Sequence, residues 1–288
     1  MKKHYAGVLL IIFAFFCTSI ISALGKNLLQ STTLGILLCM QNIFALCFCV
    51  PFILTSPKCF STKRIGLHFL RALFGVIAYL CLFIALKYIS ILDASLLANS
   101  SPLFLPLVVL VCFHQKISGF LYLSLIIGFF GVFLVLNPLS DVQFSFHSWM
   151  VLVALSGSLF SAMALQCVRN LTKTEPCITI NFYYFFLATL ITVPLAILEW
   201  QAISRPELLK LTCIGFLLAL IQFSIARAYK YVTPVILGPF NYSVVIFSGL
   251  IQWIFWDVIP GWINLIGVIL ISLGGTLSIL NQKKILLK

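Results

Sequence analysis

Ala85-Leu86-Lys87-Tyr88-Ile89-Ser90 is answered 143 residues later by Ala228-Tyr229-Lys230-Tyr231-Val232-Thr233. At the same offset Ser100 meets Ser243, Phe104 meets Phe247, Ser124 meets Gly267 and Gly131 meets Gly274. Both copies lie in almost uninterrupted apolar sequence. A duplicated hydrophobic segment of this kind marks many carriers that move solutes across bilayers. Working outward from it, the offset maps a third apolar run onto an eighth, a fourth onto a ninth and a fifth onto a tenth.

Ten such runs fit the chain, at approximately 5–25, 34–54, 66–86, 93–112, 119–137, 148–168, 179–199, 208–228, 235–255 and 262–280. Each has the ~20 residues that a hydrocarbon core requires of a helix. Hydrophobic residues make up 62% of the 288 positions and charged ones 8%. A soluble domain carries about a quarter charged residues, so a water-facing surface cannot be built from this composition. The runs are continuous rather than alternating, which predicts an all-α integral membrane bundle and not a barrel. Met1-Lys2-Lys3 before an apolar stretch imitates a secretion signal. No small-x-small cleavage site follows, and residues 5–25 are read as a retained first helix.

The repeat unit is five helices, residues 1–140 and 141–288. Five is odd, so the second copy enters the membrane in the opposite orientation. The expectation is two inverted halves related by a pseudo-two-fold axis in the membrane plane, with the transport site between them.

The net charge of +12 looks at first like a nucleic-acid signal. Its distribution points elsewhere. With ten crossings and an inner amino terminus, the inner loops and tails hold Lys2, Lys3, Lys58, Lys63, Arg64, Lys116, Arg169, Lys173, Lys230, Lys283, Lys284 and Lys288. The outer loops hold Lys26, Lys87, Arg205 and Lys210. This is a positive-inside bias, which predicts that both termini are cytoplasmic and that no nucleic acid is bound. Ten cysteines without a Cys-x-x-Cys pair, most of them inside the runs, read as small, reduced, apolar residues rather than metal ligands.

The fourth and ninth runs carry matched interruptions: Pro102 and Pro106 in one, Gly238 and Pro239 in the other. A proline frees a carbonyl one turn earlier, and in lipid that group needs a partner or a wet cavity. Asn99, Ser100 and Ser101 gather at one interruption, Asn241, Tyr242 and Ser243 at the other. Asn99 and Asn241 are read as lining a substrate path rather than as helix glue; for the serines both readings stand. Arg71 lies about five residues inside its run, where it either holds a substrate carboxylate with its fork or snorkels to the surface. Arg227, at a run's end, is read as snorkelling. Tyr79, Tyr183, Tyr184, Tyr242 and Trp253 could present rings to a nucleobase or a cation, although Trp253 also suits the interfacial belt. Gln41, Gln166 and Gln222 are hydrogen-bonding path residues or helix glue.

All six acids (Asp93, Asp141, Glu175, Glu199, Glu207 and Asp257) fall in loops or at run ends, as do the four histidines. Proton-coupled carriers commonly place a carboxylate at membrane depth, so exchange or movement down a gradient is preferred to a carboxylate relay. No phosphate-cradling Gly-x-x-x-x-Gly-Lys-Ser/Thr motif is present, and nothing calls for a cofactor. A membrane-embedded enzyme would need a polar catalytic cluster, which the runs lack. A membrane scaffold would not require matched interruptions in an inverted repeat.

These motifs in this order resemble the EamA branch of the drug/metabolite transporter superfamily. Lys26 closes the first run; His68-Phe69-Leu70-Arg71-Ala72-Leu73 resembles the family's opening of its third helix. Ala85-Leu86-Lys87-Tyr88 and Asn99-Ser100-Ser101-Pro102-Leu103-Phe104 resemble its helix three-to-four signature. Gln41 and Gln115 depart from the arginine and glutamate common in the family, while Asp257 keeps an acid after the ninth run. Ala226-Arg227-Ala228-Tyr229-Lys230-Tyr231 followed by Gly238-Pro239-Phe240-Asn241-Tyr242 is similar to a branch that includes bacterial S-adenosylmethionine uptake carriers. The resemblance implies a bacterial inner-membrane transporter of a small polar metabolite, monomeric or homodimeric, surrounded by membrane lipid. Its most specific implication is S-adenosylmethionine, taken up alone or in exchange for S-adenosylhomocysteine. Amino-acid or drug export is the alternative. The substrate-binding residues implied are Asn99, Ser100, Asn241, Tyr242, Arg71, Tyr79, Tyr183 and Gln222.

Overall fold

The computed structural model describes residues 2–54, 62–104, 108, 123, 126–128, 130–131, 134, 144–231, 237–257 and 261–286. Within them the chain is helix and turn, with no strand. The elements are α1 (Lys2–Leu28), α2 (Leu34–Leu54), α3 (Ile65–Tyr88), α4 (Ile91–Ala98), α5 (Phe144–Leu171), α6 (Cys177–Leu198), α7 (Arg205–Tyr231), a 3-10 turn (Gly238–Tyr242), α8 (Ser243–Trp256) and α9 (Trp262–Leu286). Among the described residues, α1, α2, α3, α5, α6 and α7 are each long and apolar enough to span a membrane. They coincide with the first, second, third, sixth, seventh and eighth apolar runs. Most of the fifth run, Pro106 and the junction near residue 140 lie outside the described residues.

Helix is the outcome because an apolar run in lipid has no water to satisfy its backbone, so each segment must bond internally. The ends are set by short polar devices. Ser90 caps α4, its Oγ accepting from the Asp93 amide at 3.0 Å and donating to Asp93 Oδ2 at 2.6 Å. Ahead of α7 the Ser204 amide and hydroxyl both donate to Glu207 Oε2 at 2.8 Å. Pro51 within α2 and Pro194 within α6 stand 143 residues apart, so the duplication extends to an intrahelical proline.

The bundle packs α3 along α5, α1 along α7, and α2 against α6 and α7. Small residues permit these approaches, as is usual where lipid removes the hydrophobic drive between helices. A Cβ on Gly157 of α5 would lie 2.8 Å from Cys81 Cβ of α3, and one on Gly215 of α7 would lie 2.4 Å from Phe44 Cβ of α2. The two ends of the bundle are tied differently. On the side of the amino terminus, Glu175 between α5 and α6 takes a hydrogen bond from Thr62 and pairs with His68 at the start of α3. On the opposite side Lys26 donates to Ile89 O at 2.6 Å, the Gly35 amide donates to Glu199 Oε2 at 2.8 Å, and Lys210 donates to Asn27 Oδ1 at 2.6 Å.

The fourth apolar run is not one helix with prolines in it. α4 stops at Ala98, Asn99 forms its C-cap with φ −98° and ψ 10°, and helix resumes at residues 101–104. The break therefore falls at Asn99–Ser100, ahead of Pro102. Pro102 opens the next segment, where a missing N–H costs little. Asn99 Nδ2 donates to Ser95 O at 2.8 Å and Ser100 Oγ to Leu96 O at 2.7 Å, so side chains serve carbonyls near the break. Pro239 is likewise an opening residue, in the first turn of the 3-10 segment that precedes α8.

Candidate functional site

A cavity of about 90 Å³ lies between α1, α3, α5, α6, α7 and the two interrupted segments. α3 supplies Arg71, Gly75, Ala78, Tyr79 and Leu82. The spacing i, i+4, i+7, i+8, i+11 is one helical face, so a single stripe of α3 lines the cavity from end to end. α7 supplies Ile221, Gln222 and Ile225; Ala98, Asn99, Ser101 and Asn241 come from the breaks. Phe15, Thr18, Ser161, Ala164, Leu165 and Tyr184 complete the wall.

Five pairs of these residues stand 143 apart in sequence: Thr18 and Ser161, Ala78 and Ile221, Tyr79 and Gln222, Leu82 and Ile225, Ala98 and Asn241. Counterpart positions of the duplicated sequence thus face one space. The charge does not follow this pairing. Arg71 corresponds to Ile214 and Tyr184 to Gln41, neither of which lines the cavity.

Arg71 is 5% exposed. Its Nη2 donates to Gln222 Oε1 at 2.8 Å, and its guanidinium carbon lies 4.1 Å from the centre of the Tyr184 ring. Nε has no hydrogen-bond partner. No Asp or Glu lines the cavity among the described residues. A buried cation held by neutral partners alone, the Gln222 amide and the Tyr184 side chain, is under-compensated, because burial costs several kcal/mol per ion. The guanidinium fork is the group that a carboxylate or phosphate satisfies in two bonds. Gly75 makes the stack possible: a Cβ there would sit 2.6 Å from Arg71 Nη1 and 2.7 Å from Tyr184 Cε2.

Five of the eight expected substrate-binding residues meet at this cavity: Arg71, Tyr79, Asn99, Asn241 and Gln222. Arg71 does not snorkel; its stripe turns it inward. Three expected residues lie elsewhere. Ser100 is fully buried and its hydroxyl is spent on Leu96 O, while its neighbour Ser101 lines the space. Tyr183 lies against His68 in a tilted ring contact, ring centres 4.7 Å apart, and Tyr184, one residue and about 100° further round α6, takes the cavity position. Tyr242 is buried behind the wall, with a hydroxyl that lacks a hydrogen-bond partner. Thr18, Ser161 and Phe15 were not singled out in the sequence; the first two are a 143-residue pair, and that offset was the signal available.

His68 makes the one histidine–carboxylate pair among the described residues. It stands near the start of α3, at a run's end as expected, and there it is fully buried with its Nε2 2.6 Å from Glu175 Oε2. Arg227 is exposed, as expected, and donates through Nε to the Tyr231 hydroxyl at 3.4 Å. Trp253 is half exposed on the outer surface of α8, in keeping with an interfacial role.

Residues 5–137 and 148–280 each match the EamA-like transporter family, and the chain belongs to that family. It is accordingly a multi-pass membrane transporter of a bacterial family. Among curated relatives, the pseudopaline exporter CntI of Pseudomonas aeruginosa is 26% identical over 270 residues, covering 92% of this chain and 93% of that one. A riboflavin transporter of Vibrio cholerae is 26% identical over 236 residues, 81% and 77% of the two chains. An S-adenosylmethionine uptake transporter of Rickettsia felis is 22% identical over 294 residues, 99% and 96%. A crystal structure shares the fold with a TM-score of 0.67 at 14% identity, covering 99% of this chain and 98% of the other.

Proposed function

We propose that this protein is a secondary transporter that carries a small, carboxylate-bearing polar metabolite through the Arg71 cavity. The observation that carries the reading is the buried Arg71 fork, facing a space that contains no acid of the described chain. The substrate's carboxylate would complete the pair, with Gln222, Asn99 and Asn241 as hydrogen-bonding walls and Tyr79 and Tyr184 as ring surfaces. S-adenosylmethionine fits these requirements: its amino-acid carboxylate on Arg71, its adenine and sulfonium against aromatic faces. Ligand pockets usually hold ~300–1,000 Å³, so a 90 Å³ cavity must open to admit it. The opening is an alternating-access motion of two inverted halves, residues 1–140 and 141–288, in the inner membrane with both termini cytoplasmic. The 143-residue pairs lining the cavity support that geometry. Exchange against S-adenosylhomocysteine would supply the driving force.

The test is uptake of radiolabelled S-adenosylmethionine into cells that express the chain, with and without preloaded S-adenosylhomocysteine. Saturable uptake that preloading accelerates, and whose KM rises at least tenfold in Arg71→Gln, is the expected result. No uptake above empty-vector cells, with the protein present in the membrane, removes that substrate. A second reading, export of a metabolite, is favoured by the similarity to a pseudopaline exporter over nearly the whole chain. Tracer efflux from preloaded cells separates the two directions. Cysteines placed at 99 and 241 should react with impermeant maleimide from alternate sides of the membrane; labelling from one side only would argue against alternating access.

A further inference from the structure

A second site lies outside the cavity, on the lipid-facing side of α7 at the end of the bundle that carries the amino terminus. Two adjoining grooves of about 380 and 500 Å³ run along the seam of α1, α6 and α7. Leu10, Ile178 and Phe223 form their apolar floor. Arg227, Lys230 and Tyr231 form the rim. Arg227 and Lys230 are both exposed and stand in the last turns of α7, so their charges sit where the helix leaves the bilayer. Phe223 is one turn deeper, on the order of 6 Å at 1.5 Å per residue. Exposed Leu9 and Phe13 of α1 continue the apolar wall in the same direction. The groove is amphiphilic along the membrane normal: cations at headgroup level, hydrocarbon below.

No acid lines either groove among the described residues. Glu175 stands two residues before the groove-lining Cys177, but its carboxylate is turned away to His68 and Thr62. The α7 C-terminus offers about half a negative charge, against two positive side chains. Substrate does not account for these groups. Arg227 is five residues, or about 140° of helix rotation, from the cavity-lining Gln222 and points to a different surface.

We propose that this groove binds one anionic phospholipid, its phosphate held by Arg227 and Lys230 and an acyl chain lying along Leu10 and Phe223. The site is independent of which metabolite the cavity carries. Purified full-length protein in neutral detergent, titrated with phosphatidylglycerol or phosphatidylcholine and read by native mass spectrometry, tests it directly. At about fivefold per basic residue, phosphatidylglycerol should bind some 25-fold more tightly than phosphatidylcholine. Arg227→Gln with Lys230→Gln should erase that preference, and Arg227→Lys with Lys230→Arg should keep it. Lys63→Gln with Lys173→Gln removes the same charge from exposed positions at the same end. That variant should retain the preference. Equal binding of the two lipids, or equal loss in both double glutamine variants, overturns the proposal in favour of diffuse surface charge. Displacement of phosphatidylglycerol by millimolar glycerol phosphate overturns it in favour of a soluble-anion site.

Discussion

Arg71 and Arg227 approach the same end of the bundle, one on α3 and the other on α7, helices whose sequences echo each other 143 residues apart. Their surroundings are opposite. Arg71 is buried under Tyr184 and bonded to Gln222; Arg227 faces outward beside Lys230. Arg71 stands about five residues inside its run and Arg227 at a run's end, a difference of about one turn that does not by itself bury a side chain. Rotation about the helix does. Arg71 lies on the stripe that runs through Gly75, Ala78, Tyr79 and Leu82, whereas Arg227 lies across α7 from Gln222 and Ile225. A duplicated fold can therefore keep a shared cavity shape while one half supplies its charge.

The largest effect that tests this contrast is expected from Arg71→Gln. Loss of a charge-assisted pair at about 1.5–3 kcal/mol corresponds to a rise in the KM for uptake of roughly 10- to 150-fold. The same change removes an under-compensated buried charge, so the thermal midpoint of the substrate-free protein should stay level or rise. A fall in midpoint matching the loss of uptake would instead make Arg71 a structural residue. Gly75→Ala comes next. Its Cβ would enter the space of Arg71 Nη1 and Tyr184, and overpacking at ~1–3 kcal/mol predicts a loss of about tenfold without any change of charge. Unchanged uptake would mean that the Arg71–Tyr184 stack is dispensable. Tyr184→Leu should cost about fivefold through the lost ring–cation contact, and Tyr183→Leu should leave substrate KM alone. The reverse order would move the site towards His68.

Much of this organisation was legible in the sequence, for reasons particular to lipid. Continuous apolar runs leave the backbone no choice but helix, so α1, α2, α3, α5, α6 and α7 fall where the runs do. Polar side chains inside such runs are conspicuous, which exposed Arg71, Asn99, Asn241 and Gln222. The three expected residues outside the cavity, Ser100, Tyr183 and Tyr242, each stand next to a residue that lines it. Choosing Ser101 over Ser100 requires knowing that α4 ends at Asn99, and Pro102 had drawn the break to itself. Choosing Tyr184 over Tyr183 requires the rotational phase of α6, which its mostly apolar sequence marks only weakly, through buried Thr179, Asn181 and Thr192. The His68–Glu175 pair was not legible because the partner comes from a loop: Glu175 is distant in sequence, and no periodicity links the two.

The smallest expected effect sharpens the comparison most. Arg227→Gln should change the KM for uptake by less than twofold, because no Arg227 atom reaches the cavity and the α7 stripe that does is turned away from it. The measurement belongs on KM rather than on maximal rate. A lipid bound at the α1–α7 seam can alter how fast the helices move, but it does not touch a substrate already seated against Arg71. If Arg227→Gln raised KM as far as Arg71→Gln, the two arginines would serve one ligand in succession, and the outer groove would be the mouth of the substrate path. A changed maximal rate at constant KM would leave the cavity with Arg71 and the lipid-facing groove with Arg227.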